Sequence, residues 1–115
     1  MPGTFNTDEL LERVDNDDDF LRETVEMLAS DGPDLLEDVR TAATASDAAA
    51  AARAAHTLKG MISNFCSPDT LAAALVVEQI GRAGDLAPLP AALDTLETRM
   101  TALIAELNEF VAERA

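Results

Sequence analysis

Residues 88–110, PLPAALDTLETRMTALIAELNEF, decide the fold class of this 115-residue chain. Leu89, Leu93, Leu96, Met100, Leu103, Leu107 and Phe110 recur at alternating intervals of four and three. That spacing gathers them on one side of an α-helix beginning around Pro88 to Pro90. A helix with one apolar side needs partners, so the rest of the chain must supply helices with facing stripes.

Working back toward the N-terminus, such stripes recur. Ser67-Pro68-Asp69 places a cap, a first-turn proline and an acid at the positive end of the helix dipole. The helix that follows is expected to bury Leu71, Leu75, Val76 and Ile80 and to end between Gly81 and Gly84. Ser46-Asp47 caps another, with Ala51, Ala55, Leu58, Ile62 and Phe65 as its buried stripe. Leu21, Val25, Leu28, Leu35, Val39 and Ala42 keep phase through Asp31-Gly32-Pro33. One long helix from about Asp17 to Ala45, bent at Pro33, is expected, with two helices and a tight joint as the alternative. Thr7-Asp8-Glu9 offers an N-cap and first-turn acids to a short helix carrying Leu10, Leu11 and Val14. Met27, Met61 and Met100 read as fillers of the core or its boundary. The expected architecture is all-α: an antiparallel four-helix bundle with a short additional N-terminal helix packed over it, one domain spanning 1–115.

Composition agrees and narrows the function. Alanine occurs 22 times, aromatics make up 3% and there is no Trp or Tyr, which suits closely packed helices better than sheets. The formal net charge of −14 repels phosphate backbones and anionic membranes, which argues against binding nucleic acid or a membrane through a basic surface. One Cys excludes an internal disulfide, and one His with one Cys cannot build a zinc site. Cys66 reads as a semi-buried structural thiol. The start of the sequence lacks a basic and apolar leader and no apolar run approaches a membrane span, so a cytoplasmic setting is expected.

The one histidine, His56, and the one lysine, Lys59, lie three residues apart on the third predicted helix. At about 100° per residue, the core stripe of that helix centres about 140° from His56, so the imidazole should point outward. Ala52, Lys59, Gly60 and Ser63 surround it, and all but Lys59 are small. An interior glycine costs a helix roughly 0.5–1 kcal/mol relative to Ala, and Gly60 lies away from the core, so close approach by an external body is the reason left for it. An exposed neutral imidazole can accept a phosphoryl group, and a neighbouring ammonium would offset its charge. No Ser/His/Asp set, second His or glycine-rich phosphate loop accompanies it, so hydrolysis is disfavoured.

The segment Ala55-His56-Thr57-Leu58-Lys59-Gly60 resembles the signature of histidine-containing phosphotransfer (HPt) domains of two-component phosphorelays. The likeness extends through Leu10 to Asp19-Phe20-Leu21, Gly32-Pro33-Asp34-Leu35-Leu36 and Gly81-Arg82-Ala83-Gly84-Asp85. It implies that His56 carries the phosphoryl group, that Lys59 assists it and that Gly60 leaves room for a receiver domain. Gln79 falls near a polar position that can support the active histidine, if one residue is inserted around Cys66 to Asp69. Where the family commonly has Gly and a small residue after Asn64-Phe65, this chain has Cys66-Ser67.

The resulting expectation is a monomeric phosphoryl carrier rather than an enzyme. It would pass the group between receiver-domain aspartates, or from a hybrid sensor histidine kinase to a response regulator. The alternative is a non-phosphorylated acidic helical adaptor that binds a regulator through the same face. No cofactor is expected on this chain, while the partner receiver would supply a carboxylate and bound Mg²⁺. Leu11, Ala52, Gly60 and Ser63 are the expected partner contacts.

Overall fold

The computed structural model describes residues 4–114. Five α-helices follow in order: α1 (Thr7–Arg13), α2 (Asp18–Thr44), α3 (Ala48–Ile62), α4 (Pro68–Ala83) and α5 (Leu89–Glu113), with a 3₁₀ turn at Ser63–Phe65. The long helices are joined by segments 45–47, 63–67 and 84–88, too short for anything but antiparallel succession. α2 packs against α3 and α5, and α4 packs against the same two, which closes the four-helix ring.

Short side chains start the helices. Asp17 Oδ1 accepts from Phe20 N–H at 3.0 Å, and Asp47 Oδ1 accepts from Ala50 N–H at 3.0 Å. Asn6, not Thr7, caps α1, its Oδ1 accepting from Glu9 N–H at 2.9 Å. Thr7 already lies inside the first turn. Ser67 precedes Pro68 but does not cap α4 with its side chain; its hydroxyl donates to Thr4 O and lies 2.9 Å from Thr70 Oγ1, from which it can accept. α1 is fastened over the 3₁₀ turn, with Asn6 N–H donating to Cys66 O at 2.9 Å and the Arg13 guanidinium donating to Ser63 O at 3.1 Å. Cys66 has φ 54°, in the left-handed region that glycine occupies without penalty.

The stripe of α5 is buried from Leu89 to Leu107, with Phe110 half-buried at its end, and the stripe of α3 is buried as expected. α2 runs through Pro33 as a single helix. Its buried set passes from Leu28 through Gly32 to Leu36, not Leu35, because two successive steps of four carry the stripe past Pro33. Leu35 is half-buried beside it. Met100 is in the core and Met61 at its edge, but Met27 is 57% exposed, since it lies off the Val25–Leu28 face.

α4 departs furthest from expectation. Its buried residues are Thr70, Ala73, Ala74, Val77, Glu78 and Gly81, whereas Leu75 and Val76 are exposed and Leu71 and Ile80 half-buried. The inward side is small because α3 and α4 approach closely. A Cβ placed on Gly81 would lie 2.8 Å from the backbone nitrogen of Ala52 and 3.0 Å from its Cα. Helix packing therefore chose the small face of α4, and the larger apolar residues were left outside.

Backbone cannot swing away as a side-chain tip can. Gly81→Ala is therefore expected to lower stability by about 1–2 kcal/mol, even though alanine favours an isolated helix by about 1 kcal/mol. Urea unfolding of the two proteins measures this. Equal or higher stability of the variant would show that α3 and α4 can separate without cost.

Candidate phosphoryl-acceptor site

His56 lies past the middle of α3, and its side chain is 61% exposed. The side chain bonded to it comes from α4. The small face that brings α4 close also carries Glu78, whose side chain is only 2% exposed. A buried carboxylate requires charge partners, and Glu78 has them on both oxygens. Oε2 lies 2.9 Å from His56 Nδ1 and accepts from Arg82 Nε at 2.9 Å and Arg82 Nη2 at 2.6 Å. Oε1 is ion-paired with Lys59 Nζ at 2.7 Å. Lys59, Arg82 and His56, in the face of burial, hold the Glu78 carboxyl down at about 2, from an ordinary value of 4.5.

This fixes the state of the imidazole. An ionised carboxylate can only accept, so His56 Nδ1 carries a hydrogen and donates it. In the neutral ring the lone pair then resides on Nε2, the nitrogen not engaged by Glu78. An open groove beside the ring is lined by Ala52, Arg53, Gly81 and Arg82. On the Lys59 side a second, apolar groove is lined by Gly60, Ser63, Leu71 and Leu75.

The structure thus brings His56, Lys59, Ala52, Gly60 and Ser63 to one surface. Gly60 is exposed, and a Cβ built there meets nothing within 4 Å, so helix packing does not require glycine. Ser63 is half-buried, its hydroxyl donating to Gly60 O at 2.6 Å. Leu11 lines neither groove, because α1 turns it toward the core, where it is half-buried. Gln79 is exposed and makes no hydrogen bond to His56; the position facing the ring is held by Glu78, one residue earlier and about 100° around the helix. No inserted residue is needed. Sequence reasoning passed over Glu78 and Arg82 because carboxylates are abundant in this chain. The available signal was an acid four residues before an arginine, within the small-residue series Ala74, Val77 and Gly81. Among the described residues no group of His, Cys, Asp and Glu side chains is arranged to hold a metal ion, and no helix is long and apolar enough to cross a membrane.

An antiparallel bundle presenting one supported, solvent-facing histidine is the architecture of a histidine phosphotransfer module. The family model for the Hpt domain matches residues 23–106, and the chain belongs to that family. A solved structure described as histidine-containing phosphotransfer protein B (HptB) from Pseudomonas aeruginosa PAO1 has the same fold, with a TM-score of 0.89 and 19% identity over 98% of each chain. No curated protein matches. The protein is accordingly a phosphocarrier of the phosphorelay type.

The charge on Glu78 has a pH signature. Its carboxyl is held below its unfolded value, so its pairing stabilises the fold fully above about pH 4.5 and is lost as pH falls through about 2. In Glu78→Gln this contribution is absent at every pH. The stability gap between wild type and Glu78→Gln, from urea unfolding at a series of pH values, should therefore narrow from pH 5 downward. A gap independent of pH would mean that the carboxylate charge is not what the cations hold.

Proposed function

We propose that His56 is the phosphoryl acceptor and that transfer occurs at Nε2, to and from the aspartate of a response-regulator receiver domain or from a hybrid sensor kinase. The observation that carries this reading is the division of labour in the ring: Nδ1 is committed to a buried carboxylate, and Nε2 keeps a lone pair on an exposed side chain. In the accepting direction, Nε2 attacks the phosphorus of the receiver's aspartyl phosphate. The N–P bond forms as the P–O bond breaks, and the electron pair returns to the receiver's carboxylate. Lys59, paired with Glu78 in the resting protein, lies on the same face and can turn toward the arriving phosphoryl oxygens. The Mg²⁺ that assists the reaction is assigned to the receiver, and this chain is read as a monomer that adds no cofactor and catalyses no turnover of its own.

Gly60 supports docking by a folded partner. It sits beside Lys59 with open space where a side chain would project, which suits a protein surface that must bring an aspartate within bonding distance of Nε2.

Two substitutions test the assignment. His56→Gln should abolish acid-labile labelling from a phosphorylated receiver while changing stability by no more than about 1 kcal/mol, because Lys59 and Arg82 still pair with Glu78 and only one hydrogen bond is at stake. Persistent acid-labile label would place the acceptor elsewhere, and absence of label on the wild type with any receiver would favour the adaptor. Gly60→Gln should raise stability by roughly 0.5–1 kcal/mol through helix propensity. It should slow transfer from a phospho-receiver far more than labelling by a small donor such as phosphoramidate. Equal slowing with both donors would show that glycine is not there for the partner.

A further inference from the structure

We propose that Glu78 is a positioning residue that keeps the proton on His56 Nδ1 after Nε2 has been phosphorylated, so that the stored group stays on a cationic ring and leaves readily. The inference rests on the acceptor assignment above and extends it to the phosphorylated state.

The chemistry follows from counting electrons in the ring. A neutral imidazole has one N–H and one nitrogen lone pair. When the Nε2 lone pair is used to bond phosphorus, a ring that retains its Nδ1 hydrogen carries a positive charge. It then has two courses. It can release the Nδ1 proton to water and become a neutral phosphoramidate, or it can keep the proton if something compensates the charge. In the donating direction, a receiver carboxylate oxygen bonds to phosphorus and the N–P electron pair returns to Nε2. From the protonated ring the leaving group is neutral imidazole, with its hydrogen still on Nδ1. From the deprotonated ring it is imidazolate, a far poorer leaving group that must first recover a proton.

The site is built for the first course. Glu78 Oε2 is 2.9 Å from Nδ1, and its burial keeps water from competing for that hydrogen. A side-chain amide at this place could also accept from Nδ1–H, but it carries no charge to offset the ring. It could equally turn its NH₂ toward a bare Nδ1. A carboxylate has no hydrogen to give, so it stabilises the protonated ring alone. Lys59 and Arg82 make Glu78 a carboxylate in the resting protein. Once the phosphoryl oxygens arrive, Lys59 has a second anion to serve, which frees Glu78 for the ring.

The charged groups facing this pair are Lys59 from α3 and Arg82 from α4, with Arg53 of α3 lining the same groove. Among the described residues no ion pair or side-chain hydrogen bond joins α1, α2 or α5 to either His56 or Glu78. The local charge is +1 before phosphorylation, with a neutral His56, ionised Glu78, Lys59 and Arg82. With a phosphoryl dianion and a retained proton it is zero; with the proton lost it is −1, on a chain already at −14.

Phosphoramidate labels exposed imidazole without any partner, and the chain has a single histidine, so NMR of the ring nitrogens and of phosphorus reads one site. In the phosphorylated wild type, the pH at which Nδ1 loses its proton should lie above that of a short phosphohistidine peptide by about one pH unit or more. In phosphorylated Glu78→Gln the midpoint should return toward the peptide value. Phosphoryl transfer from the variant to a receiver should then slow about tenfold above that midpoint and little below it, a pH profile that loosened packing alone would not produce. If the wild-type midpoint equals that of the peptide, the proposal is wrong, a result that needs no variant to fold. A raised midpoint in a protein that no phospho-receiver labels would leave the proton-holding role standing and overturn the acceptor assignment instead.

Discussion

The close approach of α3 and α4 at Ala52 and Gly81 is the constraint on which the rest of this molecule depends. With no side chain on Gly81, the α4 backbone comes within van der Waals reach of Ala52, one helical turn before His56. At that separation Glu78, three residues before Gly81, reaches the imidazole and Lys59 together. A wider gap would leave the carboxylate short of one or both. The small face of α4, costly in apolar burial, is therefore what allows a functional contact between two helices.

Glu78 is also an unusual charge for this surface. Among the described residues the ion pairs that do not involve Glu78 join partly or fully exposed groups, such as Arg22 with Asp19, and such pairs contribute about 0–1 kcal/mol. A carboxylate with almost no solvent contact is different, because removing one partner leaves a charge that water cannot reach. Lys59 and Arg82 approach from two sides, and His56 completes the set with a hydrogen bond that also sets its tautomer. Stability and reactivity thus meet in one side chain.

The bundle was readable wherever burial used large residues. Leu93, Leu96, Met100 and Leu103 in α5, and Leu58 and Ile62 in α3, advertise their phase by size and hydropathy. The outward direction of His56 followed from the same phase, and so did the freedom of Gly60. α4 was misread for the same reason: a pattern search gives weight to Leu75 and Val76, while helix packing gives it to Ala74 and Gly81, whose merit is absence of bulk. Gln79 was reached separately, through the family resemblance with one residue inserted ahead of α4, and the structure puts Glu78 at the ring instead. The half-buried place of Leu11 depends on the contact between α1 and the Ser63–Phe65 turn, a tertiary event with no local signature, whereas the Asn6 cap is a local bond to Glu9 N–H that a reading centred on Thr7 misses by one residue.

The distribution of cations has a consequence for encounter rates. Lys59, Arg53 and Arg82 are grouped around His56 on a molecule 44 Å long that is otherwise strongly acidic. Ionic strength decides how much of that molecule an approaching phosphate-bearing surface can sense, since the screening length is roughly 30 Å at 0.01 M salt and about 8 Å near 0.15 M. In dilute buffer a negatively charged group on that surface feels the whole negative field and is repelled. Near 0.15 M the distant carboxylates fall silent, and only the basic island around the imidazole is left to guide it. Toward a negatively charged group, moderate salt therefore weakens the long-range repulsion more than the attraction of the nearby cations.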